Sequence, residues 1–202
     1  RQKSLAIVLG NLKGHPNPKE FLEQYMLSND VAAKILWFAG KVNDDISGKV
    51  VLDLGCGTGI LAIGAILLGA DFAVGVDVDL ASLKVALENA HTLHVDSSIS
   101  FINSDISHLN LSADTVIQNP PFGVQRRGAD RLFLKKAMES ADVIYSLHKY
   151  TEKNHRFLMN FIVEHNGRVT HALPLTLTIP HLFPFHQRLK HKVNVILYRI
   201  LR

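Results

Sequence analysis

The chain has a single cysteine, Cys56, and this scarcity limits what the protein can be. One thiol cannot form an intrachain disulfide or a multi-cysteine zinc site, so a reducing compartment, the cytoplasm, is the simplest expectation. Long apolar runs are absent as well, since the longest, residues 60–70, is too short to span a bilayer. The amino terminus has no charged and then apolar pattern that leads to a cleavage site. We therefore expect no membrane contact.

Acidic residues are scarce in the last quarter of the chain. Residues 148–202 contain nine Lys and Arg against two Asp and Glu, whereas residues 1–147 contain 13 against 16. The same last part holds seven of the eleven histidines. A basic face built from it would attract a polyanion such as nucleic acid, although a solvated basic surface without a partner has the same composition.

Length and pattern predict one domain over residues 1–202. The chain can fill one hydrophobic core, and it has no repeat, low-complexity tract or linker. An amino-terminal extension, residues 1–48, has helical patterns at 18–27 and 30–42 that are expected to cover the sheet.

From residue 49 onward, short apolar strands alternate with helices, which is typical of a mostly parallel sheet covered on both faces. No long helix separates the last two strands, so one of them is expected to run antiparallel. Strands are predicted at 50–53, 72–77, 98–103, 114–118, 143–147, near 168–173 and at 193–200, and helices at 60–68, 80–92, 131–141 and 152–165.

The first predicted strand ends in D-L-G-C-G-T-G, from Asp53 to Gly59, which opens directly into a helix. Glycines at such a bend permit positive φ angles and a close approach of a ligand to the backbone. The spacing G-x-G-x-G is one residue short of the dinucleotide pattern, which disfavours a nicotinamide-dependent dehydrogenase. A carboxylate at the strand end suits a ligand with positive charge, and S-adenosylmethionine has an ammonium and a sulfonium group. We expect Asp53 to act indirectly on the amino-acid end of this cofactor, with the Gly55 backbone against it.

Two more carboxylates follow the next two strands. Asp77 lies 22 residues after Gly55, close to where a carboxylate is expected to bind two ribose hydroxyl groups. Asp105 could accept a hydrogen bond from the adenine amine while Ile106 packs on the ring. Each aspartate alone is explained as well by a loop or a cap. Because the carboxyl ends of parallel strands meet at one edge, three in succession predict one ligand crevice.

The fourth strand ends in N-P-P-F, from Asn119 to Phe122. An Asn-Pro pair alone predicts only a loop. At this edge it predicts methyl transfer to a planar nitrogen whose lone pair is delocalised, such as the adenine amine or an amide. The side-chain oxygen of Asn119 and the carbonyl of Pro120 can accept its two N–H bonds, Pro120 and Pro121 fix the backbone, and Phe122 offers a stacking face. Positioning and preorganised dipoles would supply most of the acceleration, with no general base needed before transfer.

The order of these motifs is characteristic of class I amino-methyltransferases, and nearly the whole chain resembles the archaeal and eukaryotic adenine-N6 methyltransferases of small-subunit ribosomal RNA. The resemblance rests on L-E-Q-Y at 22–25, the glycine loop, G-V-D-V-D at 75–79, N-P-P-F-G at 119–123 and Y-S-L-H-K at 145–149. It implies a Rossmann-like three-layer sandwich with a mostly parallel seven-stranded sheet and one antiparallel strand. It also implies that residues 119–122 hold the target base and that the extension covers the cofactor.

Together the motifs and the resemblance predict the residues that bind S-adenosyl-L-methionine: Gln24, Tyr25, Asp53, Gly55, Gly57, Thr58, Gly59, Ile60, Asp77, Asp105 and Ile106. The chain departs from the family where Pro-Thr usually follows L-E-Q-Y. Here Met26 and Leu27 stand instead, so a threonine contact to the cofactor is lost or moves to Ser28.

Basic and aromatic residues are the candidates for RNA contact. Arg126 and Arg127 follow the motif and either contact phosphate or are solvated. Segment 180–192 interleaves Phe183 and Phe185 with basic and imidazole groups, which suits a splayed-out nucleotide, although a hairpin with both rings in the core has the same pattern. We expect one ring to be buried and the other to lie near the target base. The histidines of this segment are five residues apart and lack a carboxylate, so no metal site is expected.

Two other functions fit the same motifs. A protein glutamine N5-methyltransferase solves the same lone-pair problem and would have no affinity for RNA. A non-catalytic RNA-binding module would keep the fold, but it would have no need for the acceptor on Asn119.

Strand 98–103, S-I-S-F-I-N, is expected at a sheet edge and has no Lys, Pro or charge to discourage pairing. We predict that a partner chain adds a strand there. The resemblance supplies a candidate, because members of the family work with a small zinc-binding activator protein.

Overall fold

The computed structural model describes residues 1–15, 17–24, 27–123, 125–180 and 190–202. These residues contain a seven-stranded sheet in the order β3-β2-β1-β4-β5-β7-β6. β7 pairs antiparallel with both of its neighbours, and every other pairing is parallel. The predicted fold class is confirmed, with β7 as the antiparallel strand. The strands are β1 (Val50–Leu54), β2 (Phe72–Asp77), β3 (Ile99–Asn103), β4 (Thr115–Gln118), β5 (Val143–Lys149), β6 (Arg168–Pro180) and β7 (Lys190–Leu201).

Six α-helices accompany the sheet in the described residues: α1 (Gln2–Leu9), α2 (Asn29–Trp37), α3 (Ile60–Leu67), α4 (Leu80–Thr92), α5 (Ala129–Ser140) and α6 (Glu152–Glu164). Ser28 caps α2, because its side chain accepts a hydrogen bond from the Val31 N–H group. A π-helical segment, Phe38–Val42, continues α2. Short 3-10 turns lie at Glu20–Leu22, Asp96–Ser98 and Ile106–His108. None of the helices that the structure describes is long and apolar enough to cross a membrane.

Two predictions for the amino-terminal extension need correction. The helix expected at 18–27 is wrong: in the described residues this segment holds only the 3-10 turn, and Glu23 then has a left-handed φ of 51°. Contacts of Glu23 and Gln24 with other loops, described below, hold this segment in a non-helical conformation despite its helical periodicity. The sequence pattern also missed α1, which has no capping side chain but buries Leu5, Ala6 and Leu9.

The last two strands are longer than the predicted 168–173 and 193–200. Pairing between β6 and β7 continues to Pro180 and Lys190, beyond the last β5–β7 pair at Lys149 and Val195. Residues 176–180 and 190–194 therefore have strand partners only in each other, which an apolar pattern does not reveal.

The two faces of the sheet bury separate sets of side chains, as alternation along strands requires. On one face Val51, Ile117 and Tyr145 pack with α1, α2 and α3. On the other face Leu52, Val116 and Ile144 pack with α5 and α6. The sheet is thus the middle layer of three, which confirms the sandwich.

A largely buried ion pair joins Arg199 of β7 to Asp45, which lies in the loop before β1. The Arg199 Nε donates to Asp45 Oδ2 at 2.8 Å, and Nη2 donates to Oδ1 at 3.2 Å. The Tyr145 hydroxyl donates to the same carboxylate, and burial together with this contact raises the Tyr145 pKa. The pair fixes α2 and its extension to the strands.

Candidate active site

A cavity of about 400 Å³ lies at the carboxyl ends of the central strands, within the size range of small-molecule sites. It brings together most of the predicted site residues: Gln24, Asp53, Gly55, Gly57, Thr58, Ile60, Asp77, Asp105, Ile106, Asn119, Pro121 and Arg126. Gly59, Pro120, Phe122 and Arg127 are not among the residues that line it. Tyr25, Phe183 and Phe185 lie outside the described residues.

The glycine loop is held open by its backbone. Gly55 has a φ of 71°, and its N–H group donates to the Val76 carbonyl at 2.8 Å. A Cβ on Gly55 would lie 2.9 Å from the ring of Phe133, whereas a Cβ on Gly57 would meet nothing within 4 Å. The loop therefore forms an open cradle over which a ligand can approach the backbone. These features fit an adenosyl cofactor.

Asp53 lies beneath this loop and is only 1% exposed. Its Oδ2 accepts a hydrogen bond from the Ala62 N–H group at 3.1 Å, and its Oδ1 has no hydrogen-bond partner among the described residues. Burial raises the pKa of Asp53 to about 8. The hydrogen bond from Ala62 acts in the opposite direction, and the negative charge of the nearby Asp77 raises the pKa further. The buried carboxyl group is therefore poised to respond to a cationic ligand.

The other two strand-end carboxylates are partly occupied by the protein itself. Asp77 accepts the N–H groups of Gly57 and Asp79, each at 2.8 Å. Asp105 accepts from the N–H group and the hydroxyl of Ser107, at 2.8 and 2.7 Å. Burial raises the pKa of Asp77, whereas the Ser107 hydrogen bonds lower the pKa of Asp105. Both side chains line the cavity with their orientation fixed.

Sequence reasoning missed a cluster of hydrogen-bonded residues around Asp79, of which His15 and Gln24 also line the cavity. We call the described residues 10–15 and 17–24 the amino-terminal strap. Three strap side chains donate to or pair with the Asp79 carboxylate: His15 at 2.9 Å, Lys19 at 2.8 Å and Gln24 at 3.0 Å. Burial alone would raise the Asp79 pKa, but these hydrogen bonds and one from Ser82 hold it well below its usual range. Asp79 stood in the G-V-D-V-D motif, which was the available signal.

A buried asparagine ties the strap to the glycine loop. The Asn89 Nδ2 donates to the carbonyls of Lys13 and Thr58, both at 3.0 Å. Its Oδ1 accepts the Lys13 N–H group at 2.8 Å. Because Asn89 lies on α4, these hydrogen bonds fix the strap and the glycine loop to the same helix.

The N-P-P-F motif lies where β4 ends, and β4 pairs directly with β1, the strand that leads into the glycine loop. Asn119 and Pro121 line the cavity, and Phe122 is half-buried and packs against the core cluster of α1 and α2. The carboxylate of Glu23 accepts the N–H groups of Phe122 at 2.6 Å and Gln125 at 2.7 Å. Glu23 was not predicted, although it stood within L-E-Q-Y.

Comparison with known proteins identifies the family. The family model of ribosomal protein L11 methyltransferase (PrmA) matches residues 40–120. An uncharacterized protein of Methanocaldococcus jannaschii is 41% identical, over 99% of this chain and 94% of its own. The rRNA N(6)-adenosine-methyltransferase METTL5 of Danio rerio is 38% identical, over 76% of each chain. The chain belongs to this rRNA adenosine methyltransferase family.

A solved structure agrees with this membership. The crystal structure of a putative RNA methyltransferase from Pyrococcus horikoshii has a TM-score of 0.93 and 44% identity, and the match covers 100% of this chain and 98% of that one. The predicted resemblance is confirmed.

In this methyltransferase a buried polar chain supports the motif from behind. The Gln118 Nε2 donates to the Ser146 hydroxyl at 2.8 Å, and Ser146 contacts the His148 Nε2 at 2.7 Å. Burial lowers the pKa of His148 to about 3, so this imidazole is neutral at physiological pH. These residues pack the ends of β4 and β5 without bringing a charge to the target site.

Exposed basic and aromatic side chains occur in the chain segments that follow the methyltransferase motif. Arg126 and Arg127 are exposed. The Arg131 guanidinium lies 5.5 Å from the ring centroid of Phe157. Tyr150, which lies between β5 and α6 in the chain, is exposed. Within the described residues no group of three His, Cys, Asp or Glu could hold a metal ion.

Proposed function

We propose that this protein transfers a methyl group from S-adenosyl-L-methionine to the exocyclic N6 amine of an adenine in small-subunit rRNA. The observation that carries the proposal is the shared cavity, which Asn119 and Pro121 line together with residues of the glycine loop and the strand-end carboxylates. Family membership supports the same reaction.

The cavity residues suit the parts of the cofactor. Asp77 would hold the ribose hydroxyl groups with the lone pairs left by its two backbone contacts. Asp105 and the buried Ile106 would bind the adenine. Asp53 would compensate the ammonium charge through the loop above it, and Gln24, Thr58 and Ile60 would complete the wall. When bound, the cofactor supplies an electrophilic methyl group.

The N-P-P-F loop would prepare the acceptor nitrogen. The Asn119 side-chain oxygen and the Pro120 carbonyl would accept the two amine N–H bonds, which draws the lone pair out of the ring system. The two prolines hold this carbonyl in place, and Phe122 would stack on the base from its half-buried position. The imidazole of His148, whose pKa burial lowers to about 3, is a poor proton acceptor. Orientation, rather than proton removal, would therefore drive the reaction.

The test is methyl transfer from labelled cofactor to small-subunit rRNA. We expect label as N6-methyladenine with the wild type, a loss of at least about 100-fold with Asn119→Ala, and unchanged cofactor affinity. The matched control is Asn160→Ala, since Asn160 is exposed on α6. Equal rates for Asn119→Ala and the control would contradict the assigned role.

A protein acceptor is the second candidate. The matched family model is named for a ribosomal protein, but the match ends at residue 120, so it covers the cofactor half and stops at the motif. An assay with ribosomal proteins and with a glutamine-containing peptide belongs beside the rRNA assay. Label on protein and none on RNA would replace our proposal with this candidate.

We also propose that a small zinc-binding activator pairs with β3. β3 is one of the two edge strands of the described sheet, Ser100 and Asn103 are exposed, and Leu87 of α4 presents an exposed apolar side chain. Ser100→Lys should abolish binding of the activator, because a lysine on an edge strand discourages pairing. Ser4→Lys on α1 is the control, and equal binding by both variants would contradict the proposed surface.

The expectations of one domain and of a cytoplasmic location are part of the same proposal. The two largest core clusters of the described residues pack on opposite faces of one sheet, which supports a single domain. Cys56 is free and buried, which supports a reducing compartment.

A further inference from the structure

One buried carboxylate connects the amino-terminal strap to the target site. Glu23 is 6% exposed, and each of its carboxylate oxygens accepts one N–H group from the loop that follows the prolines. Distances of 2.6 and 2.7 Å are typical of charge-assisted hydrogen bonds.

The loop depends on such an outside acceptor because of its sequence. Pro120 and Pro121 have no N–H group, so Phe122 is the first residue after Asn119 that can donate from the backbone. Gly123 then turns the chain with a φ of 75°. The Glu23 carboxylate therefore holds both sides of this turn, at Phe122 and at Gln125.

Glu23 reaches the loop at a conformational cost. Its φ of 51° is uncommon for a residue with a side chain, and strain of this kind persists where the surroundings enforce it. The next residue, Gln24, donates to Asp79, which stands two residues after Asp77 at the end of β2. Two consecutive residues thus bind the cofactor side and the target side of one cavity.

We infer that Glu23 is a positioning residue for the target base. By fixing the turn at Phe122 and Gln125, it holds the Pro120 carbonyl and the Asn119 amide in the orientation that the acceptor amine requires. Because the neighbouring Gln24 binds Asp79, the orientation of the loop also depends on the hydrogen bonds that hold the strap in place. The inference rests on the proposed function and adds a residue that acts through the backbone of the loop at Phe122 and Gln125.

The first test compares Glu23→Gln with Glu164→Gln, a control on the exposed carboxyl end of α6. Glutamine keeps the volume but presents an NH₂ group to one of the two loop N–H groups. We expect kcat for methyl transfer to fall at least about 10-fold, with the Kd for S-adenosylmethionine changed less than about threefold. A space-filling role predicts no fall in kcat, and that result would overturn the inference.

The second test does not require turnover. Amide hydrogen exchange, measured by NMR on the protein without ligands, should accelerate at least about 10-fold at Phe122 and Gln125 in Glu23→Gln. Glu23→Asp keeps two acceptor oxygens on a shorter side chain and should give an intermediate acceleration. Unchanged exchange at both amides in both variants would overturn the inference. If the wild type methylates no RNA but the exchange result holds, the proposed function fails and the loop-positioning role stands.

Discussion

The protonation of Asp53 should make the ligand-free protein lose stability as the pH rises from 6 to 8. Burial raises the Asp53 pKa from 3.8 to about 8 in the folded state, whereas the unfolded chain titrates at the lower value. Between these values the folded state holds a proton that the unfolded state has released. The stability that the neutral carboxyl group contributes is therefore fully present below pH 3.8 and is lost as the pH rises through about 8.

The expected magnitude follows from proton linkage. Each pH unit between the two pKa values changes the free energy of unfolding by at most about 1.4 kcal/mol, and the slope flattens near pH 8. The change from pH 6 to pH 8 should thus be about 2 kcal/mol from this residue. Asp53→Asn keeps an acceptor for the Ala62 N–H group and does not titrate, so its stability lacks this component.

The assay is urea unfolding of both proteins at pH 6 and pH 8 without ligand. Histidines also titrate in this range, but they are common to both proteins, so the difference between the two isolates Asp53. We expect Asp53→Asn to gain about 2 kcal/mol relative to the wild type between pH 6 and pH 8. A difference that is the same at both pH values would show that Asp53 is ionised in the folded protein and would refute the reasoning.

Three further substitutions test the packing and the strap. Gly64→Ala would place a Cβ 2.2 Å from the Leu36 Cδ1, so urea unfolding should show a loss of about 1–3 kcal/mol in the free energy of unfolding. The double variant Gly64→Ala, Leu36→Ala should recover part of this loss. A urea midpoint equal to that of the wild type would contradict the tight contact. Arg199→Met leaves the Asp45 carboxylate without its cation, and the free energy of unfolding should fall by about 3 kcal/mol in the same urea assay. Adding Asp45→Asn should restore part of this free energy. If it restores none, the unpaired charge is not the cause of the loss. Asp79→Asn weakens the hydrogen bonds to three strap side chains, so titration calorimetry should show the affinity for the cofactor reduced about 10-fold. An unchanged Kd would show that the strap does not contribute to cofactor binding.

The residues that line the cavity at the ends of β1, β2 and β3 could be predicted because short motifs follow these strands. The glycine loop, Asp77 and Asp105 each stand next to an apolar strand, and parallel strands deliver them to one edge. The same logic placed Asn119. Local sequence and topology act together at these positions.

The amino-terminal strap could not be predicted in this way. Glu23 and Asp79 owe their positions to hydrogen bonds with residues far away in the sequence, such as Phe122 and Lys19. Periodicity suggested a helix at 18–27, but tertiary contacts replaced it with a turn and a left-handed residue. α1 lacks a capping signal, so only its burial against α2 defines it.

The position of β7 has a consequence for the order of folding. β7 follows β6 in the chain but lies between β5 and β6, so β6 can join the sheet only through β7. The contact between Pro180 and Lys190 closes a short loop, whereas that between Tyr145 and Arg199 closes one of more than fifty residues. Local contacts form fastest, so β6 and β7 should form a hairpin first and dock on β5 late. Conservative substitutions in the β5–β7 seam should then speed unfolding and leave the folding rate nearly unchanged, and a matching fall in the folding rate would place the docking step early.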